Sequence, residues 1–285
     1  MRLVRDVLRA PGACFGAVLV VLVIVGAALA PFLSPQDPYD LAQLDITDAR
    51  LPPGSESSAG FTFLLGSDGQ GRDMLSGILY GLRISLLVGL GSAAFAAVAG
   101  TVVGLLAGYA GGRTDDAVSR LVDLQLSFPS ILVALIVLAL LGRGVGNVML
   151  ALVLVEWSYY ARTARAAALA ERGRGYVEAA ECIAVAPWRI VLRHLLPNCL
   201  PPLVVVLTSQ VARAITLEAT LSFLGVGVPI TEPSLGLLVA NGYQFVLSGQ
   251  WWISLYPGLA LLAVILGINL VGDRVRDLLN PHAVR

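Results

Sequence analysis

Residues 84–112 read ISLLVGLGSAAFAAVAGTVVGLLAGYAGG, a run without a single Asp, Glu, Lys or Arg. A helix needs about 20 predominantly apolar residues to cross the core of a bilayer. Only a span that satisfies its backbone polar groups internally is tolerated there, so the run reads as a membrane helix. It is not isolated. Residues 10–36, 124–142, 194–212 and 233–272 are equally free of charge. Over the whole chain 57% of residues are hydrophobic and 13% charged, against roughly 25% charged in an average soluble domain. A soluble protein of this length would show shorter amphipathic segments with charges along one face. The fold class is therefore all-α and integral to the membrane, with the lipid bilayer as its first partner.

Working outward from the 84–112 run, we place a first span at Ala13–Leu33 and a second at 84–107, followed by a tight turn at Gly108–Gly112. A third runs over 120–141 with a kink at Pro129, and a short Gly142–Gly146 loop leads to a fourth at 147–163. The fifth, 200–223, opens with Pro201-Pro202, and the sixth occupies 253–272. The first 30 residues imitate a signal peptide, ending in Ala28-Leu29-Ala30. Pro31 would follow the scissile bond and the apolar stretch is long enough to span, so we expect a retained helix. Orientation follows the basic residues, all of them Arg. Six spans put both termini on one side, with Arg2, Arg5, Arg9, Arg274, Arg276 and Arg285. The 164–197 loop falls on that same side with Arg165, Arg172, Arg174, Arg189 and Arg193, which predicts both termini and this loop to be cytoplasmic. The acidic, Pro- and Gly-rich 34–82 segment and the polar 224–252 segment are then external. We divide the chain into 1–82, a first helix with its external segment, and 83–285, the transport core. The three cysteines are scattered without metal spacing, and two of them fall near the predicted cytoplasmic face, so neither a metal site nor a disulfide is expected.

The most informative stretch is Tyr176-Val-Glu-Ala-Ala-Glu-Cys-Ile-Ala-Val-Ala-Pro-Trp-Arg-Ile-Val-Leu-Arg-His-Leu-Leu-Pro-Asn198. Tyr176, Ala180 and Ile183 share one helical face while Glu178 and Glu181 share another. Pro187 suits the first position of a second short helix, and Pro197 is expected to end it. The loop is therefore helix–turn–helix, too polar for the bilayer and too patterned for a random linker. A helix rigidly joined to two spans suits the transmission of force from a soluble partner.

Glu178-Ala179-Ala180 with Leu196-Pro197 at its set distance resembles the coupling loop of bacterial binding-protein-dependent ABC importer permeases. Leu65-Gly66-Ser67-Asp68 with Gly71-Arg72-Asp73 is similar to the external segment of the dipeptide/oligopeptide/nickel type, as are Ser222–Gly227, Trp251-Trp252 with Pro257-Gly258, and Asn269–Pro281. The resemblance covers most of the chain from residue 63 onward and fits the second of the two permease subunits. It implies a type I importer permease fold in a bacterial inner membrane. It also implies a homologous second permease, two cytoplasmic ATPases that bind the ATP and Mg, and an extracytoplasmic solute-binding protein. This chain would carry no catalytic residue, cofactor or metal, and nothing points to nucleic acid. The coupling residues would be Glu178, Ala179, Ala180, Ile183, Ala184, Leu196 and Pro197. Where the family has Gly, four residues after the second Ala, this chain has Ala184. The solute would be a peptide or peptide-sized molecule, with nickel chelates, glutathione and other small solutes as alternatives.

Blander readings stand beside these. A solvated loop helix would also explain Glu178 and its neighbours. Gly66, Asp68, Gly71, Arg72 and Asp73 suit turns and a helix cap as well as contact with solute or binding protein. Glu156, Arg213 and Glu218 are candidates for the translocation path or for structural pairing. A charge at mid-bilayer costs roughly 2.5–3.5 kcal/mol on insertion scales. Arg213 and Glu218 stand about 140° apart around a helix and make a poor pair. The Gly108–Gly112 turn lacks the Gly-Lys-Ser/Thr ending of a phosphate loop. A stand-alone transporter would need broken helices in related halves, and the sequence displays no such repeat. An intramembrane metalloprotease would need a His-Glu-x-x-His, which is absent.

The orientation is directly testable. A reporter fused after Ser58 is expected to be external and one after Gly173 cytoplasmic; an external signal at Gly173 would reverse the topology and remove the coupling assignment with it.

Overall fold

The computed structural model describes residues 10–40, 43–229 and 231–279. Arg2, Arg5, Arg9, Arg285 and the closing Asn280-Pro281, used above for orientation and motif, lie outside the described residues. Nine helices account for most of the described chain: α1 Pro11–Ala28, α2 Met74–Ala110, α3 Gly112–Ser127, α4 Ser130–Leu141, α5 Val145–Arg172, α6 Gly175–Cys182, α7 Pro187–Phe223, α8 Leu235–Tyr243 and α9 Trp252–Leu279. A four-residue turn of helix, Ala30–Leu33, follows α1. Between them and α2 lies a two-stranded antiparallel hairpin, β1 Ser55–Glu56 and β2 Thr62–Phe63. Four of the described helices, α1, α2, α7 and α9, are long and apolar enough to cross a membrane, and α3 with α4 make a fifth if the bent pair is one span. At 28 residues α5 reaches about 42 Å, but Glu156, Arg162 and Arg165 give it a more polar middle.

Several sequence expectations are corrected. The second span begins ten residues earlier, at Met74, because Asp73 caps it, its carboxylate accepting from the Ser76 N–H at 2.7 Å. The turn after it is confined to Gly111 and Gly112, whose φ of +67° and +57° end the helix. The third span is not a kinked helix. It breaks at Phe128-Pro129 into α3 and α4, which meet at 92°. Proline has no N–H and disfavours α geometry in the residue before it, which is how Phe128 comes to be extended. The 164–197 loop is shorter than expected, since α5 runs on to Arg172 and α7 starts at Pro187. Pro197 does not end a helix. It lies inside α7, downstream of a π-helical stretch at Ile190–Leu195 that changes the bonding register before the prolines are reached. The 224–252 segment is not merely polar, because it holds the largely buried α8.

The bundle is organised by close helix contact. Gly100, Gly104 and Gly108 line one face of α2 against α5. A Cβ on Gly100 would fall on the Trp157 carbonyl, one on Gly104 on the Ala161 carbonyl, and one on Gly108 2.7 Å from the Ala168 Cβ. The facing residues Ala161, Ala164 and Ala168 are all buried. In lipid there is no hydrophobic force between helices, so small residues that allow backbones to touch drive association by van der Waals packing. The same device joins α1 to α9, where a Cβ on Gly16 would meet the Leu270 Cβ at 2.6 Å. Large apolar residues such as Phe15, Leu22, Leu87, Phe95 and Leu262 are left on the outside, as a lipid-facing surface requires.

Gly104→Leu is expected to cost about 1–3 kcal/mol of overpacking, read as a lower thermal midpoint of the detergent-extracted protein. Gly146→Ala, where a Cβ meets nothing within 4 Å, should leave the midpoint unchanged or slightly higher.

Candidate functional site

The segment between α5 and α7 forms a rigid elbow. Glu171, near the end of α5, receives the Tyr176 hydroxyl at 2.6 Å and pairs with Arg174 at 3.0 Å. The Asn198 amide, on α7, donates to the Tyr176 oxygen at 3.1 Å. Burial first, and then the bond to Glu171, push the Tyr176 hydroxyl up to about 12, so it stays a donor at any physiological pH. Val177 and Ala180 face inward onto Ile190, Val191 and Leu195. Ala180 is only 5% exposed, which corrects the expectation that it shares one face with Tyr176 and Ile183: its side chain packs within its own chain. Leu196 is half-buried against the same cluster and Pro197 is exposed on α7.

The C-terminal end of α6 is a complete Schellman turn. The Ala184 N–H donates to the Glu181 carbonyl at 2.9 Å and the Val185 N–H to the Ala180 carbonyl at 3.0 Å. Ala184 occupies the left-handed position at φ +54°. Glycine suits that position, and alanine holds it here at a cost of about 1 kcal/mol. The turn throws Ile183 outward at 77% exposure, and Trp188 follows at 60% with the Arg189 guanidinium over its ring. Glu178, Ala179, Glu181 and Cys182 complete an exposed face with small and acidic residues around two large apolar ones.

Most of the residues between 66 and 73 are buried within the chain, and Gly69 and Gln70 are exposed. Gly66 and Gly71 sit at φ +80° and +77°, where side chains would run into Trp252 and the Asp45 carbonyl. Asp68 accepts from the N–H groups of Gln70 and Arg72, at 2.7 and 2.9 Å. Asp73 caps α2, and its own N–H bonds the Gln36 side chain at 2.7 Å. Burial raises both Asp carboxyls above the usual range, opposed by these hydrogen bonds. With Arg72 also buried, these five residues build the segment ahead of α2, whose exposed tip is Gly69 and Gln70.

The three charges singled out in the predicted spans separate into two settings. Glu218 is fully buried and receives the hydroxyls of Ser85 on α2 and Ser222 on α7 at 2.9 and 2.8 Å, with Ser234 at the start of α8 as a third donor. It ties three helices together. Arg213 instead reaches α4, donating to the Ser130 hydroxyl at 2.6 Å and lying 4.5 Å from the centre of the Tyr159 ring. Glu156 is fully buried with no hydrogen-bond partner on either oxygen. Neither the serines around Glu218 nor Ser130 and Tyr159 around Arg213 stand out in the sequence, because hydroxyl-bearing residues in a span carry no distinctive spacing.

Residues 100–285 match the family of binding-protein-dependent transport system inner membrane components. The chain belongs to that family. It is thus a permease subunit of a binding-protein-dependent ABC importer, a multi-pass protein of the inner membrane. Residues 2–53 match the N-terminal transmembrane domain of oligopeptide transport permease C. The permease is 39% identical to a probable D,D-dipeptide transport system permease of Escherichia coli K12 over 94% of this chain and 86% of the relative. It is 38% identical to a di/tripeptide transport system permease of Pseudomonas aeruginosa over 95% and 88%. Among solved structures, inward-facing forms of the MetNI methionine ABC transporter superpose at TM-scores of 0.59 and 0.60, with 23% and 24% identity, covering 73% of this chain and 98% of that one. That likeness establishes a type I importer permease fold.

Ala184→Gly should keep the turn and raise thermal stability by up to about 1 kcal/mol. Ala184→Val, β-branched at a left-handed position, should lower it; equal midpoints for the three proteins would remove the strain argument.

Proposed function

We propose that this permease forms half of the translocation pathway for peptides or a peptide-sized solute, and that the α5–α6–α7 elbow is its contact with an ATPase subunit. In this reading six spans place both termini and the elbow in the cytoplasm, with the α3–α4 pair and α5 as the third and fourth. A homologous permease supplies the other half of the pathway. Two cytoplasmic ATPases bind ATP and Mg, and an extracytoplasmic binding protein delivers the solute. The peptide class is supported by the relatives, whose names specify dipeptides and tripeptides.

One observation carries the coupling role: two large apolar side chains, Ile183 and Trp188, stand exposed on a polar elbow whose other face is locked to the helix bundle. Exposed apolar residues rimmed by polar ones mark an interaction site, and aromatic anchors of this kind dominate binding energy. The mechanics follow from continuity. α6 is bonded at one end to α5 through Tyr176 and Glu171 and packs at the other against the start of α7. A displacement of α6 is therefore passed into both long helices instead of being absorbed in a loop. When ATP draws the two ATPases together, the elbows move with them and the pathway changes the side it faces.

Purification of the importer with its co-expressed subunits tests this. Ile183→Asp with Trp188→Asp should leave the partner permease bound yet reduce retained ATPase by roughly tenfold or more, with uptake lost in parallel. Glu232→Gln, in the segment assigned to the outside, should change neither. Ala180→Trp would not serve, since it would disrupt the elbow's own core. Full ATPase retention in the double variant would show that the elbow is not the docking surface.

A further inference from the structure

The break at Phe128-Pro129 puts the N-terminus of a half-helix, α4, beside the middle of α7 and the middle of α5. The first N–H groups of any helix lack partners within it and carry partial positive charge. Arg213 brings a full positive charge to the same place, its guanidinium bonded to Ser130, the first residue of α4, and resting on the Tyr159 ring. Arg213 is only half-buried. Among the described residues its hydrogen bond goes to Ser130, which leaves the other donors of a five-donor fork without a protein acceptor.

A carboxyl group lies near Arg213 and is not bonded to it. The Glu156 side chain in this region is fully buried, and neither of its oxygens has a hydrogen-bond partner. The Tyr160 hydroxyl, one turn along α5, is also unpartnered. Polar groups left open at membrane depth are a feature of solute pathways, and half-helix N-termini at a chain break are suited to anionic groups of a solute.

We propose that Arg213, with Ser130 at the N-terminus of α4, receives the carboxylate of the transported solute at the midpoint of the pathway. The substrate class is a solute bearing a free carboxylate, such as a peptide with an unblocked C-terminus. This rests on the importer reading above. Glu218 has no part in it, since Ser85, Ser222 and Ser234 occupy its oxygens.

The test uses the assembled importer with its binding protein in proteoliposomes, and compares L-Ala-L-Ala with L-Ala-L-Ala amide at concentrations that saturate uptake. Arg213→Gln should lower Ala-Ala import roughly tenfold, the loss of about one hydrogen bond to a charged group. Its ATP hydrolysis should remain unchanged, so more ATP is spent per dipeptide, and import of the amide should not fall. Arg213→Lys should recover most of the Ala-Ala import. Equal losses for both probes, a parallel fall of import and ATP hydrolysis, or no loss at all would overturn the proposal in favour of a structural Arg213. If the wild type imports Ala-Ala but not the amide, the ATP-per-dipeptide ratio alone decides in the same way. A wild-type importer that takes up neither probe refutes the peptide reading itself, whatever the variants do.

Discussion

The contact of α2 with α5 is the constraint from which the rest of the molecule follows. Three glycines at four-residue spacing meet three alanines, and the two backbones approach until no side chain fits between them. Within lipid such a contact holds two helices by surface matching and not by expulsion of water. Once α5 is held against α2, its N-terminal half carries Glu156 and Tyr159 into the bundle and its C-terminal end carries Glu171 to the elbow. The helix α2, fixed in turn by its Asp73 cap, presents Ser85 to Glu218.

Charge is handled in three ways, and the differences indicate function. Asp68, outside the spans, accepts from two backbone N–H groups and Asp73 from the Ser76 N–H and hydroxyl, so they hold a shape. Glu218, inside, is saturated by hydroxyls and cross-links α2, α7 and α8. Glu156 and Arg213 are close in the fold yet do not bond to each other. The first two arrangements stabilise a conformation; the third leaves interaction capacity unspent beside the break between α3 and α4.

The elbow shows a similar division between holding and presenting. Its inward residues, Val177 and Ala180, make it continuous with the bundle, and its outward residues, Ile183 and Trp188, are unsupported apolar surface. Ala184 joins the two faces. Its left-handed backbone turns the chain sharply enough that Ile183 points away from the core while Val185 returns to it.

Much of this was legible in the sequence. Uninterrupted apolar runs can have one physical meaning, so the membrane class and the approximate spans followed from composition, and the Glu178–Asn198 stretch disclosed a patterned elbow. Ala184, where the family has Gly, marked the turn, and its φ is +54°. What the sequence left open depends on which residues meet across helices. The Gly100, Gly104 and Gly108 stripe was present to be read, but small residues signal a close contact only when the opposite face is known. Helical spacing put Ala180 with Ile183, whereas the Schellman turn separates them, because spacing assumes the helix continues. Pro129 announced a bend but not one of 92°, and Pro197 announced an end that the π-helical register avoids. Whether Glu218 or Arg213 is satisfied was undetermined for the same reason: a buried charge is defined by the donors brought to it, and only the packed bundle brings Ser85, Ser234 and Ser130 within reach.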